Sequence, residues 1–161
     1  MEHIYCINDF QCSTESLLLE YETNIKDKLH DRINPFVKII AQQKFHIIKR
    51  GIWSDEILDF SSKLPYTQSI MDRVYQFCKF DTVTYRILAP CSSYRWHIDP
   101  ELECYHIPLA TNEGSLFVYD GMNYRMATDK LYYVNNGVPH TFVNSGDTHR
   151  IHLIFEKKLK D

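Results

Sequence analysis

The chain has 161 residues, 44% hydrophobic and 24% charged, with 18 basic against 21 acidic side chains and a formal charge of −3. That length suits one domain with a real core, and the acidic balance argues against a nucleic-acid partner held by phosphate neutralisation. No apolar run approaches the roughly 20 residues of a bilayer span, and Met1-Glu2-His3-Ile4-Tyr5 lacks the basic and apolar regions of a secretory signal, so a cytoplasmic protein without a membrane partner is expected.

In chain order, Ser13 or Thr14 caps a helix to about Arg32, with Leu17, Leu18, Tyr21, Ile25 and Leu29 at helical spacing and Pro35 as its stop. Phe36–Ile40 and Phe45–Ile48 read as short strands joined through Ala41–Lys44. Ser54-Asp55-Glu56 starts a helix running to Pro65, and a further helix is expected over Ser69–Phe77. From Asp81 the texture changes to short β runs near 82–89, 93–98, 104–110, 115–120, 123–126, 131–135, 138–144 and 149–156. Turn clusters such as Asn112-Glu113-Gly114, Asp120-Gly121, Asn135-Asn136-Gly137 and Asn144-Ser145-Gly146-Asp147 separate them. Eight such runs, about nine residues each with their turns, point to an antiparallel double-stranded β-helix, a cupin-like jelly roll.

The expected fold is thus α+β, an all-β core with α-helical N-terminal elements. It forms a single domain over 1–161: a helical or mixed buttress at 1–80, the double-stranded β-helix core at 81–156 and a basic tail at 157–161. Five cysteines, at 6, 12, 78, 91 and 104, are odd in number and form no CxxC pair, so reduced thiols are expected. GxGxxG and GxxxxGK[ST] phosphate cradles are absent.

Among eight histidines, His97-Ile98-Asp99 stands out. On an extended segment, residues i and i+2 point the same way, so an imidazole and a carboxylate converge. His140 is the best third ligand, following Gly137-Val138-Pro139 at the start of an expected strand. Two histidines and a carboxylate form the facial triad of non-haem Fe(II), with three positions open. Ten residues past His140, Arg150 shares a strand face with His152 and Ile154. An arginine there is costly unless an anion meets it, and its fork matches a carboxylate.

The run Tyr85-Arg86-Ile87-Leu88, Trp96-His97-Ile98-Asp99, Tyr105-His106-Ile107-Pro108-Leu109-Ala110-Thr111-Asn112, His140 and Arg150-Ile151-His152-Leu153-Ile154 resembles the aspartyl/asparaginyl β-hydroxylase family. That family lies within the Fe(II)- and 2-oxoglutarate-dependent dioxygenases, and the likeness covers about 83–156. It implies that His97, Asp99 and His140 are the catalytic iron ligands and that Arg150 binds the distal carboxylate of 2-oxoglutarate. It also implies that His106 contacts the cosubstrate's metal-side carboxylate. The membrane-anchored branch of the family has glycine at the carboxylate position, whereas this chain has Asp99.

The implied activity is hydroxylation of a C–H bond in an amino-acid-type substrate, a small molecule or a peptide with Asp or Asn among the candidates. Dioxygen is consumed and succinate and CO2 are released. The alternative is a cupin-like metal module or isomerase, which needs the triad but not Arg150. In the base-demethylating branch of the dioxygenases a second arginine follows six residues after the first, where this chain has Glu156. His149 and His152 are expected to be structural, and His3, His30 and His46 to lie at the surface or in packing. Tyr94 and Trp96 are expected in aromatic packing, and Arg86, Arg95 and Arg125 as surface charges.

Overall fold

Two antiparallel sheets face each other across a shared interior in the computed structural model, which describes residues 4–30, 42–54 and 59–159. In chain order the elements are β1 (Ile4–Gln11), α1 (Thr14–Asn24), α2 (Lys26–His30), β2 (Gln42–Lys49), β3 (Ile52–Trp53), α3 (Phe60–Lys63) and α4 (Pro65–Val74). Eight of the core follow: β4 (Thr82–Leu88), β5 (Ser92–Ser93), β6 (Leu102–Ala110), β7 (Ser115–Tyr119), β8 (Met122–Tyr124), β9 (Lys130–Asn135), β10 (His140–Asn144) and β11 (Arg150–Lys158). The larger sheet runs β1-β9-β6-β11-β4-β2-β3 and the smaller β5-β10-β7-β8. This is the expected double-stranded β-helix.

Strand alternation gives the larger sheet two different faces. Its outer face, with Tyr85, Ile87, Ile107, Leu153 and Phe155, packs against Leu17, Tyr21, Ile25, Ile70, Met71 and Val74 of the helical layer. Its inner face, with Leu88, Cys104, Val134 and Ile154, meets Phe117, Tyr119 and Phe142 of the smaller sheet. The helical layer is pinned by carboxylates. Glu20 of α1 accepts from the Tyr66 and Thr67 amides at 2.7 and 2.8 Å, satisfying the first turn of α4. Asp129 accepts from the amide and hydroxyl of Thr14, both at 2.8 Å, at the start of α1.

Several expectations shift. Pro65 opens α4 instead of closing the preceding helix, because its missing N–H and fixed φ suit the first helical position. Gln42–Lys44, expected as a link, are part of β2. The first half contributes three strands, β1, β2 and β3, to the larger sheet as well as helices, and β1 pairs with β9. Over 93–98 only Ser93 lies in a strand; the rest follows β10 loosely through one bridge at His97. β11 continues through Lys158, with Lys157 Nζ 3.8 Å from Glu103 Oε2, so the first residues of the expected tail are strand. The expected strand at 36–40, the helix start at 55–56 and His3 lie outside the described residues, as does the side chain of His30.

Candidate active site

His97 and His140, 43 residues apart in the chain, meet through a reciprocal pair of backbone hydrogen bonds: His97 N to His140 O at 3.1 Å, and His140 N to His97 O at 3.0 Å. An antiparallel pair of this kind puts both side chains on one face, and the rings lie 4.1 Å apart. Two residues on, the Asp99 amide donates to the Asn136 carbonyl at 2.9 Å, keeping the segment alongside β10. The carboxylate therefore returns to the same face. One donor atom from each of His97, Asp99 and His140 lies within 4.8 Å of the others.

The rings are aimed by main-chain carbonyls. His97 Nδ1 lies 3.0 Å from Arg95 O, and His140 Nδ1 lies 2.9 Å from Val138 O. A carbonyl only accepts, so each Nδ1 carries the proton and each Nε2 presents its lone pair. His97 Nε2 stands 3.5 Å from Asp99 Oδ2. Donors about 2.1 Å from a shared ion sit roughly 3 Å from one another, so this set needs little movement to hold a metal. Burial lowers the His140 pKa and keeps the ring neutral, as ligation requires. Phe117 stacks on His140 with centroids 5.4 Å apart, and Tyr94 meets His97 edge-on at 4.9 Å.

Deeper in the barrel, Arg150 is 3% exposed and makes no ion pair among the described residues. Its guanidinium lies 5.0 Å from the Phe142 ring and 3.3 Å from His152 Nδ1. Burial, then the charge of Arg86, pushes its pKa down to about 9. Arg86, expected at the surface, instead points inward and is largely buried in an ion pair with Glu156. Its neighbour across β2, Lys44, faces it directly, and burial followed by the charge of Arg86 lowers the lysine's pKa. With Arg86 paired to Glu156 and Lys44 exposed, Arg150 is left as a buried cation without an ion pair among the described residues.

The other sequence candidates divide. His106 is buried beside His152 and Cys104, with Nδ1 3.3 Å from His152 Nδ1 and Nε2 3.6 Å from Cys104 Sγ. His152 is buried next to Arg150, while His149 is exposed. His46 bonds Thr84 Oγ1 through Nδ1 at 2.9 Å. Tyr94 packs at the site, but Trp96 is 57% exposed and belongs to no core. Arg95 and Arg125 are exposed. The sequence reading missed the Arg86–Glu156 pair, although the alternation Arg86/Thr84/Thr82 on β4 against His152/Ile154/Glu156 on β11 contains it.

A model of the aspartyl/asparaginyl β-hydroxylase family matches residues 29–158, most of the chain and all of this site. The chain belongs to that family. As an aspartyl/asparaginyl β-hydroxylase family member it is an Fe(II)- and 2-oxoglutarate-dependent dioxygenase, an oxidoreductase of the hydroxylase kind. No curated protein sequence matches it significantly.

Solved structures share the fold. The viral collagen prolyl hydroxylase of Paramecium Bursaria Chlorella virus-1, in complex with 2-oxoglutarate, aligns over 99% of this chain and 97% of its own, with a TM-score of 0.63 and 12% identity. A Pseudomonas putida prolyl-4-hydroxylase aligns over 100% and 95%, with a TM-score of 0.59 and 15% identity. A Burkholderia pseudomallei oxidoreductase of the 2OG-Fe(II) oxygenase family aligns over 96% and 83%, also with 0.59 and 15%. None of the described helices is long and apolar enough to cross a membrane.

Proposed function

We propose that this dioxygenase hydroxylates an unactivated C–H bond of an amino-acid-type substrate, free or within a peptide, with Asp and Asn side chains as candidates. The observation that carries the reading is the meeting of His97, Asp99 and His140 in a barrel that also buries Arg150 without an ion pair among the described residues. In this reading the three side chains hold Fe(II) on one face. Arg150 takes the distal carboxylate of 2-oxoglutarate, and His106 contacts its metal-side carboxylate. The bound metal supplies dioxygen activation and the oxidising power for C–H cleavage, with 2-oxoglutarate leaving as succinate and CO2.

The chain's own contribution is binding and orientation. The carbonyls of Arg95 and Val138 fix which nitrogen each histidine presents. Asp99 adds one negative charge to the donor set. Phe117, Phe142 and Tyr94 pack against the two histidines and hold their rings in place. An amino-acid-type substrate is supported by the family and by two structural relatives that are prolyl hydroxylases.

Iron-dependent succinate release tests the proposal. Purified protein supplied with Fe(II), 2-oxoglutarate and air should form succinate slowly without added substrate and faster with a substrate. The His97→Ala protein should form none. Succinate formation equal in the two proteins would remove the triad from the reaction.

A further inference from the structure

His97 spends both of its backbone groups on β10, in the reciprocal pair with His140. In an extended chain the N–H and C=O of successive residues point to alternate edges, so those of Trp96 and Ile98 point away from β10. The smaller sheet ends on that side: β5 is its outermost strand, and residues 94–99 continue the same edge. Neither the N–H nor the C=O of Trp96 or Ile98 has a partner among the described residues. The segment thus offers two donors and two acceptors at strand spacing, one residue to either side of His97.

Side chains alternate as well. His97 and Asp99 turn to the face shared with His140, so Trp96 and Ile98 turn to the opposite one, where they are 57% and 50% exposed. Neither belongs to either core cluster. Two large apolar side chains and a free strand edge therefore stand together beside the site.

An added strand fits both features. Towards this edge His97 occupies a non-hydrogen-bonded position, where the Cα of the residue across lies about 4.5 Å away. Residues directly opposite each other project on the same face. The side chain opposite His97 would therefore rise on the face where His97, Asp99 and His140 converge. Its two chain neighbours would project on the other face, against Trp96 and Ile98.

We propose that the substrate is an extended peptide that docks as an added strand on the 96–98 edge, with its target residue opposite His97 and an apolar residue on each side of the target. This rests on the function proposed above and selects a peptide over a free amino acid, which is too short to use the edge. In docking of this kind the main-chain hydrogen bonds supply affinity, and the alternating side chains supply specificity.

Succinate release in Fe(II), 2-oxoglutarate and air tests the proposal with three probes. One is the peptide pool acetyl-Gln-Thr-Val-X-Val-Thr-Gln-amide, with every residue at X. The second replaces both valines by serine, and the third is the mixture of free amino acids. The valine pool should accelerate release most, the serine pool less and the free amino acids not at all. Equal acceleration by the two pools or by the free amino acids, or none by any probe, overturns the proposal.

Two further measurements address the edge itself. In the most active member of the pool, methylating single backbone nitrogens should raise KM at least fivefold, the scale of one hydrogen bond, at alternate residues and little between them. A uniform effect, or none, overturns the proposal. Ile98→Pro removes one outward N–H and leaves the bonds to β10, so it should raise the peptide KM about fivefold, whereas Ile98→Val should not. The visible band of the anaerobic Fe(II)–2-oxoglutarate chelate reports that the site of each variant is intact. An unchanged KM in Ile98→Pro with the band present overturns the proposal, and if that variant loses the band the methylation series decides. Absence of the band in the unaltered protein instead overturns the proposed function.

Discussion

Replacing Arg150 with methionine should separate cosubstrate binding from folding, with effects of opposite sign. The guanidinium is buried without a carboxylate partner among the described residues, and burial followed by the field of Arg86 drives its pKa from 12.5 to about 9. At 1.36 kcal/mol per pKa unit, holding this charge inside costs roughly 4–5 kcal/mol. A carboxylate that recovers half of that, about 2 kcal/mol, binds roughly 30-fold more tightly than without it. Titration of the anaerobic Fe(II) protein should therefore show Arg150→Met weakening 2-oxoglutarate by at least that factor. Without cosubstrate the same variant should be as stable as the parent or more so, because methionine fills similar space without an unpaired buried charge. Thermal melts with and without 2-oxoglutarate should show a stabilising shift in the parent that the variant lacks. Binding within threefold of the parent, or a cosubstrate-free variant destabilised by more than about 1 kcal/mol, would refute the reasoning.

Glu156→Gln leaves Arg86 as an uncompensated buried cation and should cost about 3 kcal/mol, lowering Tm by roughly 6–12 °C in calorimetry. An unchanged Tm would mean that water reaches the pair and screens it. Asp129→Asn tests an acid dependence whose sign is fixed by the hydrogen bonds from Thr14, backbone first and then side chain, which hold the Asp129 pKa below 3.8. The stability this carboxylate adds is complete above that value and disappears as pH falls through its lower folded pKa. Urea unfolding should thus show a gap between parent and variant at pH 7 that has shrunk at pH 3. Asparagine tolerates the left-handed backbone at this position, with φ +62°, so strain does not confuse the comparison. An equal gap at both pH values would count against the assignment.

The β core was legible because its two faces are chemically different. On β11, Ile151, Leu153 and Phe155 face the helices while Arg150, His152, Ile154 and Glu156 face the interior, and period-two alternation displays this directly. The His97–Asp99 pairing was legible for the same reason, since its spacing is local. Less local features were hidden. β1 finds its partner β9 more than a hundred residues away, and its exposed positions blur the alternation. Pro65 carries two opposite meanings for a helix, and only the capping carboxylate of Glu20, on another helix, selects the start over the stop. Arg86 looked like a surface charge because its compensating Glu156 lies 70 residues away on the adjacent strand. The buried contact that runs from Cys104 through His106 to His152 was equally hidden, since nothing in the local sequence places His152, on the neighbouring strand, beside them.

The central claim is that His97, Asp99 and His140 hold Fe(II) where 2-oxoglutarate chelates it with its tail towards Arg150. Adding Fe(II) and 2-oxoglutarate to the metal-free protein under anaerobic conditions tests this most directly. The account predicts a weak visible charge-transfer band that is lost in the His140→Ala protein. Iron binding without the band, or a band that survives in His140→Ala, would contradict it.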